Sequence, residues 1–213
     1  MASMLKKAIF ILTLCGVTAS MGIFAHAPYA DAQAYPSADY IAIPEEIKAP
    51  NISWQDATGN TLSLADYKGK VILLNFWATW CGPCVIEMPH LNNVQKKYRL
   101  AGLEVVPISI DKGGVNSIQK FYDRHKLSQL QIAADPESRT PGKYQVSSLP
   151  VSYLISDKGI LLGTVQGYAD WSKSPHSTEI QKALQKRAGR LATTAQNREV
   201  PTVIPVGEGV AVQ

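Results

Sequence analysis

Val71-Ile-Leu-Leu-Asn-Phe-Trp-Ala-Thr-Trp-Cys-Gly-Pro-Cys-Val-Ile-Glu-Met-Pro89 decides the fold. Val71 to Trp77 is a nearly continuous apolar run. It predicts a strand buried on both faces, as at the centre of an α/β sheet. Past the cysteines, Val85, Met88, Leu91, Val94 and Tyr98 recur at helical spacing, which predicts a helix over 82–99. Pro83 falls in its first turn, where a missing N–H costs nothing. Pro89 lies inside it and should kink it.

The strand ends near Trp80 and the helix begins at Cys81. At a helix N-terminus, unpaired backbone N–H groups and the macrodipole favour a negative charge. A thiolate is such a charge, so the pKa of Cys81 should fall below ~8.5. The thiolate is the form that attacks disulfides. Cys84 is one turn further along the same side, able to close a disulfide and expected to be more buried. Together they read as a two-cysteine redox switch. Three other readings of the pair compete with it. Half a zinc site needs four ligands, but there is no second Cys-x-x-Cys, and His90, His125 and His176 are isolated in sequence. A static disulfide closing so short a loop adds little unfolded-state entropy. A peroxidatic Cys84 would need Pro-x-x-x-Thr-x-x-Cys, and Trp77 and Cys81 occupy the Pro and Thr positions.

On the N-terminal side, Ile52-Ser-Trp54 and Thr61-Leu-Ser-Leu64 flank Asp56-Ala-Thr-Gly59-Asn60, a hairpin pattern. Residues 35–49, with Pro36 and Pro44, read as an extended linker. On the C-terminal side, Leu103 to Ile110 is a second strand, in which Pro107 suggests a bulge or an edge position. Val115 to His125 is an amphipathic helix, Gln129 to Ala133 a short strand, and Pro141 to Tyr144 a short helix or turn. Val151–Ile155 and Ile160–Val165 flank Asp157-Lys-Gly159 as a hairpin. Glu179 to Lys186 is a closing helix, and 188–213 reads as a flexible tail.

Lys6 and Lys7 precede an uncharged run, Ala8 to Ala25, the layout of an export leader. Ala30-Asp31-Ala32 and Ala25-His26-Ala27 both fit the small-x-small cleavage pattern, although Pro28 disfavours the second. The eighteen residues 8–25 would also just span a bilayer, for which ~20 are typical. Residues 1–33 are therefore either a cleaved signal peptide or a membrane anchor, and both place the rest outside the cytoplasm. Cys15 lies inside the apolar run after Leu14, a poor lipidation context. The 213-residue chain is 46% hydrophobic and 18% charged, with formal net charge +4. That balance excludes a disordered chain, and the charge is too mild and scattered to suggest nucleic-acid binding. Without Lys6, Lys7 and Asp31, 19 basic and 16 acidic residues remain, with two cysteines. An even count suits a compartment where thiols are readily oxidised.

Residues 71–89 resemble the active-site segment of the thioredoxin superfamily, most closely the exported TlpA/ResA-like thiol–disulfide oxidoreductases. Glu87-Met88-Pro89 after Cys84, the extra helix and strand around 111–134, the N-terminal hairpin and the export leader support that subgroup. The resemblance covers about 50–187 and leaves 34–49 and 188–213 outside as linker and tail. It implies an α/β thioredoxin-like fold: a mixed central sheet with helices on both faces, an N-terminal hairpin and a helix–strand insertion. It further implies that Pro150 of Leu149-Pro150-Val151 follows a cis peptide bond beside the cysteines, and that Ser148 and Leu149 offer backbone groups to a client chain. Trp80 and Pro83 join them as expected client contacts, Trp80 either shielding or presenting the site. Thioredoxin has a buried Asp where this chain has Asn75, which cannot titrate. Glu87, one turn beyond Cys84, is then either the replacement proton acceptor or a solvated helix residue. The implied function is reduction of protein disulfides, with Cys81 attacking and Cys84 resolving. No metal or dissociable cofactor is implied. Implied partners are client thiols, of which apocytochrome c is the family's suggestion, and a membrane protein that supplies reducing equivalents. The rival readings are an oxidase or isomerase, and a non-enzymatic binding module whose thiols only regulate it.

Overall fold

The computed structural model describes residues 35–196. The leader, with its run 8–25, and residues 197–213 lie outside them. In chain order the elements are β1 Ile41–Ala42, β2 Ser53–Gln55, β3 Thr61–Ser63, β4 Val71–Trp77, α1 Gly82–Tyr98, β5 Leu103–Ser109, α2 Gly114–His125, β6 Ala133–Ala134, β7 Val151–Ile155, β8 Leu161–Gln166 and α3 His176–Gln196. The strands form one mixed sheet in the order β1-β8-β7-β4-β5-β6-β2-β3.

The apolar run Val71–Trp77 is β4, buried at all seven positions. It lies between parallel β5 and antiparallel β7. Alternation along a strand sends successive side chains to opposite faces. Val71, Leu73 and Trp77 therefore enter one core cluster with residues of α1, α2 and α3. Ile72, Leu74 and Phe76 enter the other, with Ile52, Trp54 and Tyr144. Helices occupy both faces, but unequally. Among the described residues, the three α-helices share one face, and the other carries only the 3-10 turns Leu64–Tyr67 and Pro141–Tyr144. The two crossovers β4-α1-β5 and β5-α2-β6 step across the sheet in the same direction. With both right-handed, their helices must lie on the same side.

Pro107 causes no bulge, since β5 runs through it in register with Asn75, but the side of β5 that its nitrogen faces is locally an edge. The N–H of Ile110 faces β4, donating to Trp77 O at 3.1 Å. By alternation, residues 105, 107 and 109 face away from β4. On that side β6 pairs only with Ile108 and Ser109, so no strand demands a donor from Pro107. Side chains serve its neighbours instead. Gln95 accepts from Val105 N at 2.6 Å, Gln131 donates to Val105 O at 3.3 Å, and the Trp77 indole donates to Pro107 O at 3.1 Å. The same arrangement shortens the strand expected over 129–133 to Ala133–Ala134. Gln129 N is taken by Asn92 Oδ1 at 2.9 Å, and the Gln131 side chain reaches back to β5.

Two expected boundaries move. The linker of 34–49 instead closes the sheet edge: Ile41 and Ala42 pair with Thr164 and Gly163, and Lys48 bridges to Ile160. The flexible tail does not begin at 188, because α3 continues to Gln196. Arg187 and Arg190 anchor it just past the expected end, Arg187 to Gly69 O at 2.6 Å and Arg190 to the Asp157 carboxylate. No helix among the described residues is long and apolar enough to cross a membrane.

Candidate active site

Cys81 is the N-cap of α1, with extended backbone dihedrals of −90° and 105°. Gly82 and Pro83 fill the next two positions, where no intrahelical donor is missed. Cys84 is joined to Cys81 by a disulfide with a Cα–Cα separation of 5.2 Å. The Cys84 N–H donates to Cys81 Sγ at 3.4 Å. A backbone donor and the positive end of a 17-residue helix thus converge on one sulfur. Cys84 is completely buried and Cys81 is 7% exposed, so Cys81 is the nearer of the two to the surface. Trp80 beside it is 69% exposed and contributes little to the core.

The loop carrying Trp80 is tied down by Asp111. Its carboxylate accepts from Thr79 N at 2.9 Å, Thr79 Oγ1 at 2.6 Å and Ser109 Oγ at 2.6 Å. Sequence reading passed over Asp111, and its only signal is a position two residues past the end of β5. On the other side of β4, Val151 is in register with Phe76. Pro150 is therefore level with Trp77, at the end of the strand that leads into the cysteines. The Leu149–Pro150 bond is cis, and Pro150 O accepts from Gly167 N at 2.8 Å. Leu149 packs against the cluster that contains both cysteines, and Ser148 is exposed.

Glu87 is 1% exposed and so is not on a solvated face. Alternation puts Asn75 on the α1 side of β4, where its Nδ2 donates to Glu87 Oε2 at 3.3 Å and to Ser152 Oγ at 3.0 Å. Burial pushes the Glu87 carboxyl up to about 8. The Asn75 amide, the Trp171 indole and the backbone of Ala169 favour the ionised form and only partly offset this. Glu87 Oε1 and Asn75 Oδ1 have no hydrogen-bond partner among the described residues. Such a carboxyl is protonated in neutral solution but close to its titration point. That suits a group that exchanges a proton with a buried thiol.

One turn further on, His90 pairs with Asp170 at 3.3 Å and meets the Tyr168 hydroxyl at 3.4 Å. Burial and the charges of Asp170 and Glu87 raise the Tyr168 pKa. Tyr168, Asp170 and Trp171 come from the loop after β8. No motif marks that loop, and sequence reading missed it.

The AhpC/TSA family profile matches residues 46–163. The chain belongs to that family. A thiol–disulfide oxidoreductase ResA of Bacillus cereus is 32% identical over 167 residues, covering 77% of this chain and 88% of the relative. ResA of Bacillus subtilis (strain 168) is 32% identical over 126 residues, 59% of this chain and 69% of that one. Among solved structures, a thiol:disulfide interchange protein described as DsbE from Chlorobium tepidum superposes with a TM-score of 0.59 at 33% identity. It covers 70% of this chain and 99% of its own. This member of the AhpC/TSA family is a ResA-like thiol–disulfide oxidoreductase with a thioredoxin-like fold.

Proposed function

We propose that the protein reduces disulfides in client proteins outside the cytoplasm, using Cys81 as nucleophile, Cys84 as resolving thiol and Glu87 as proton acceptor. The observation that carries this reading is the pairing of Cys81, 7% exposed at the helix start, with a fully buried Cys84 one turn from a buried carboxyl. The Cys81 thiolate attacks one sulfur of a client disulfide. A mixed disulfide forms and the other client sulfur leaves as a thiolate, which takes a proton from solvent. Glu87 in its ionised form accepts the Cys84 proton. The Cys84 sulfur then attacks Cys81 Sγ and the second client thiolate leaves. Two electrons have passed to the client, and the protein is left with the Cys81–Cys84 disulfide seen here.

Two features support the reducing direction. The Gly82-Pro83 dipeptide adds no positive charge beside Cys81, and the visible stabilisers of its thiolate are the helix terminus and one N–H. A strongly oxidising pair needs a thiolate stabilised to a pKa near ~3.5. The expected midpoint is therefore nearer thioredoxin's ~ −270 mV than DsbA's ~ −120 mV. Such a dithiol needs continual re-reduction in an oxidising compartment, so the reading includes a membrane protein that passes electrons outward. Support for the location is the leader pattern of residues 1–33. Support for apocytochrome c as client is the resemblance to ResA-like proteins. Trp80, Pro83, Ser148, Leu149 and Pro150 are proposed to border the client. Equilibration of residues 35–213 with glutathione buffers tests the direction. A midpoint above about −180 mV, the value for protein disulfide isomerase, moves the assignment to oxidase or isomerase.

A further inference from the structure

The segment ahead of β1 lies along the molecule and ends on the redox dipeptide. Two glycines of the fold, Gly163 and Gly82, leave room for residues of this segment, and a third, Gly167, lies beside it. A Cβ on Gly163 would sit 2.2 Å from the Tyr40 ring, far inside contact distance, so only glycine lets that ring lie on β8. A Cβ on Gly167 would stand 3.4 Å from the Ala38 Cβ, and one on Gly82 would stand 3.1 Å from the Tyr35 hydroxyl oxygen. Polar contacts hold the same path. Ala38 N donates to Tyr168 O at 2.7 Å, and His176 Nε2 lies 2.9 Å from Ala38 O. Tyr40 meets Trp171 edge to face at 6.4 Å.

Tyr40 and Ala38 are half-buried, and packing accounts for them. Tyr35 differs. It is 37% exposed, yet it is seated on the residue next to Cys81, between the two cysteines. We infer that Tyr35 is a specificity-determining residue, its ring forming one wall of the groove through which a client polypeptide reaches Cys81. The inference rests on the proposal that Cys81 makes the attack. Cys81 is only 7% exposed. Two exposed aromatics lie on either side of it, Tyr35 with its hydroxyl near Gly82 and Trp80 next before it in sequence. Flat aromatic walls favour an extended chain with apolar residues around its cysteine. Gly167 ties the segment to the rest of the site, since it carries Ala38 and donates to Pro150 O. A small disulfide reagent touches only the sulfur and needs no wall.

The test compares Tyr35→Ala and Tyr35→Phe on two substrates, insulin and the small reagent 5,5′-dithiobis(2-nitrobenzoate). Tyr35→Ala should lower kcat/KM for insulin about tenfold through KM, the equivalent of one aromatic contact of roughly 1.4 kcal/mol. The rate with the small reagent should hold or rise. Tyr35→Phe should match the wild type, because the ring forms the wall. Equal losses on both substrates, or no loss on the protein, overturn the inference while leaving the reductase reading intact. A wild-type chain whose turnover does not depend on Cys81 overturns both.

Discussion

Glu87→Gln separates the chemistry of the buried carboxyl from its effect on stability, and the two effects have opposite signs. The folded protein holds the Glu87 proton up to about pH 8. The unfolded chain releases it near 4.5, the value for an ordinary glutamate. Across that interval the folded state binds more protons, so stability falls as pH rises through it. At about 1.4 kcal/mol per pH unit, the full interval bounds the loss at about 5 kcal/mol. Glutamine is nearly isosteric with the neutral acid and does not titrate. Below pH 4.5 the variant and the wild type should be nearly equal in stability. By pH 9 the variant should be the more stable by several kcal/mol. Urea denaturation at a series of pH values measures this, and the difference between the two curves cancels every other titrating group. Turnover should move the other way. Loss of a positioned proton acceptor should slow mixed-disulfide resolution by about 10²-fold, and the rise in rate through pH 8 should vanish. Stability curves that stay parallel from pH 5 to 9 would refute the placement of an ionisable, desolvated carboxyl at this site. An unchanged rate–pH profile would return Glu87 to a structural role.

Iodoacetamide applied to the reduced protein at neutral pH should label Cys81 well before Cys84; Cys81→Ser should abolish turnover and Cys84→Ser should trap mixed disulfides, and faster labelling of Cys84 would reverse the assignment. Asp111→Ala strips the partners from Thr79 N–H, Thr79 Oγ1 and Ser109 Oγ; it should lower stability by roughly 3 kcal/mol, each buried group left unpaired costing about 1–3 kcal/mol, and a midpoint of unfolding unchanged in urea would show that the loop does not need its anchor.

Residues 71–89 determined much of this protein without help from the rest of the chain. An unbroken apolar run of strand length, bounded by a turn and a helix start, is best satisfied as a strand covered on both faces. Helical spacing directly after it makes a strand–helix junction with a cysteine at the N-cap. The hairpins around Gly59 and Gly159 were equally local, each a turn between two alternating runs. Tertiary structure decided what depends on partners distant in sequence. Asn75 and Glu87 are twelve residues apart and identify each other only through the alternation of β4 beneath α1. Whether Glu87 was solvated or buried could not be read from α1 alone, since the groups that act on it, Asn75, Ala169 and Trp171, lie in β4 and in the loop after β8. Of the bulge and the edge that Pro107 suggested, only the sheet could choose: it is a local edge, where side chains from Gln95 and Gln131 stand in place of a neighbouring strand. Residues 35–49 looked like a linker because a two-residue edge strand has no period of its own. They take their conformation from β8, and Gly163 and Gly82, remote from them in sequence, leave the space in which Tyr40 and Tyr35 lie.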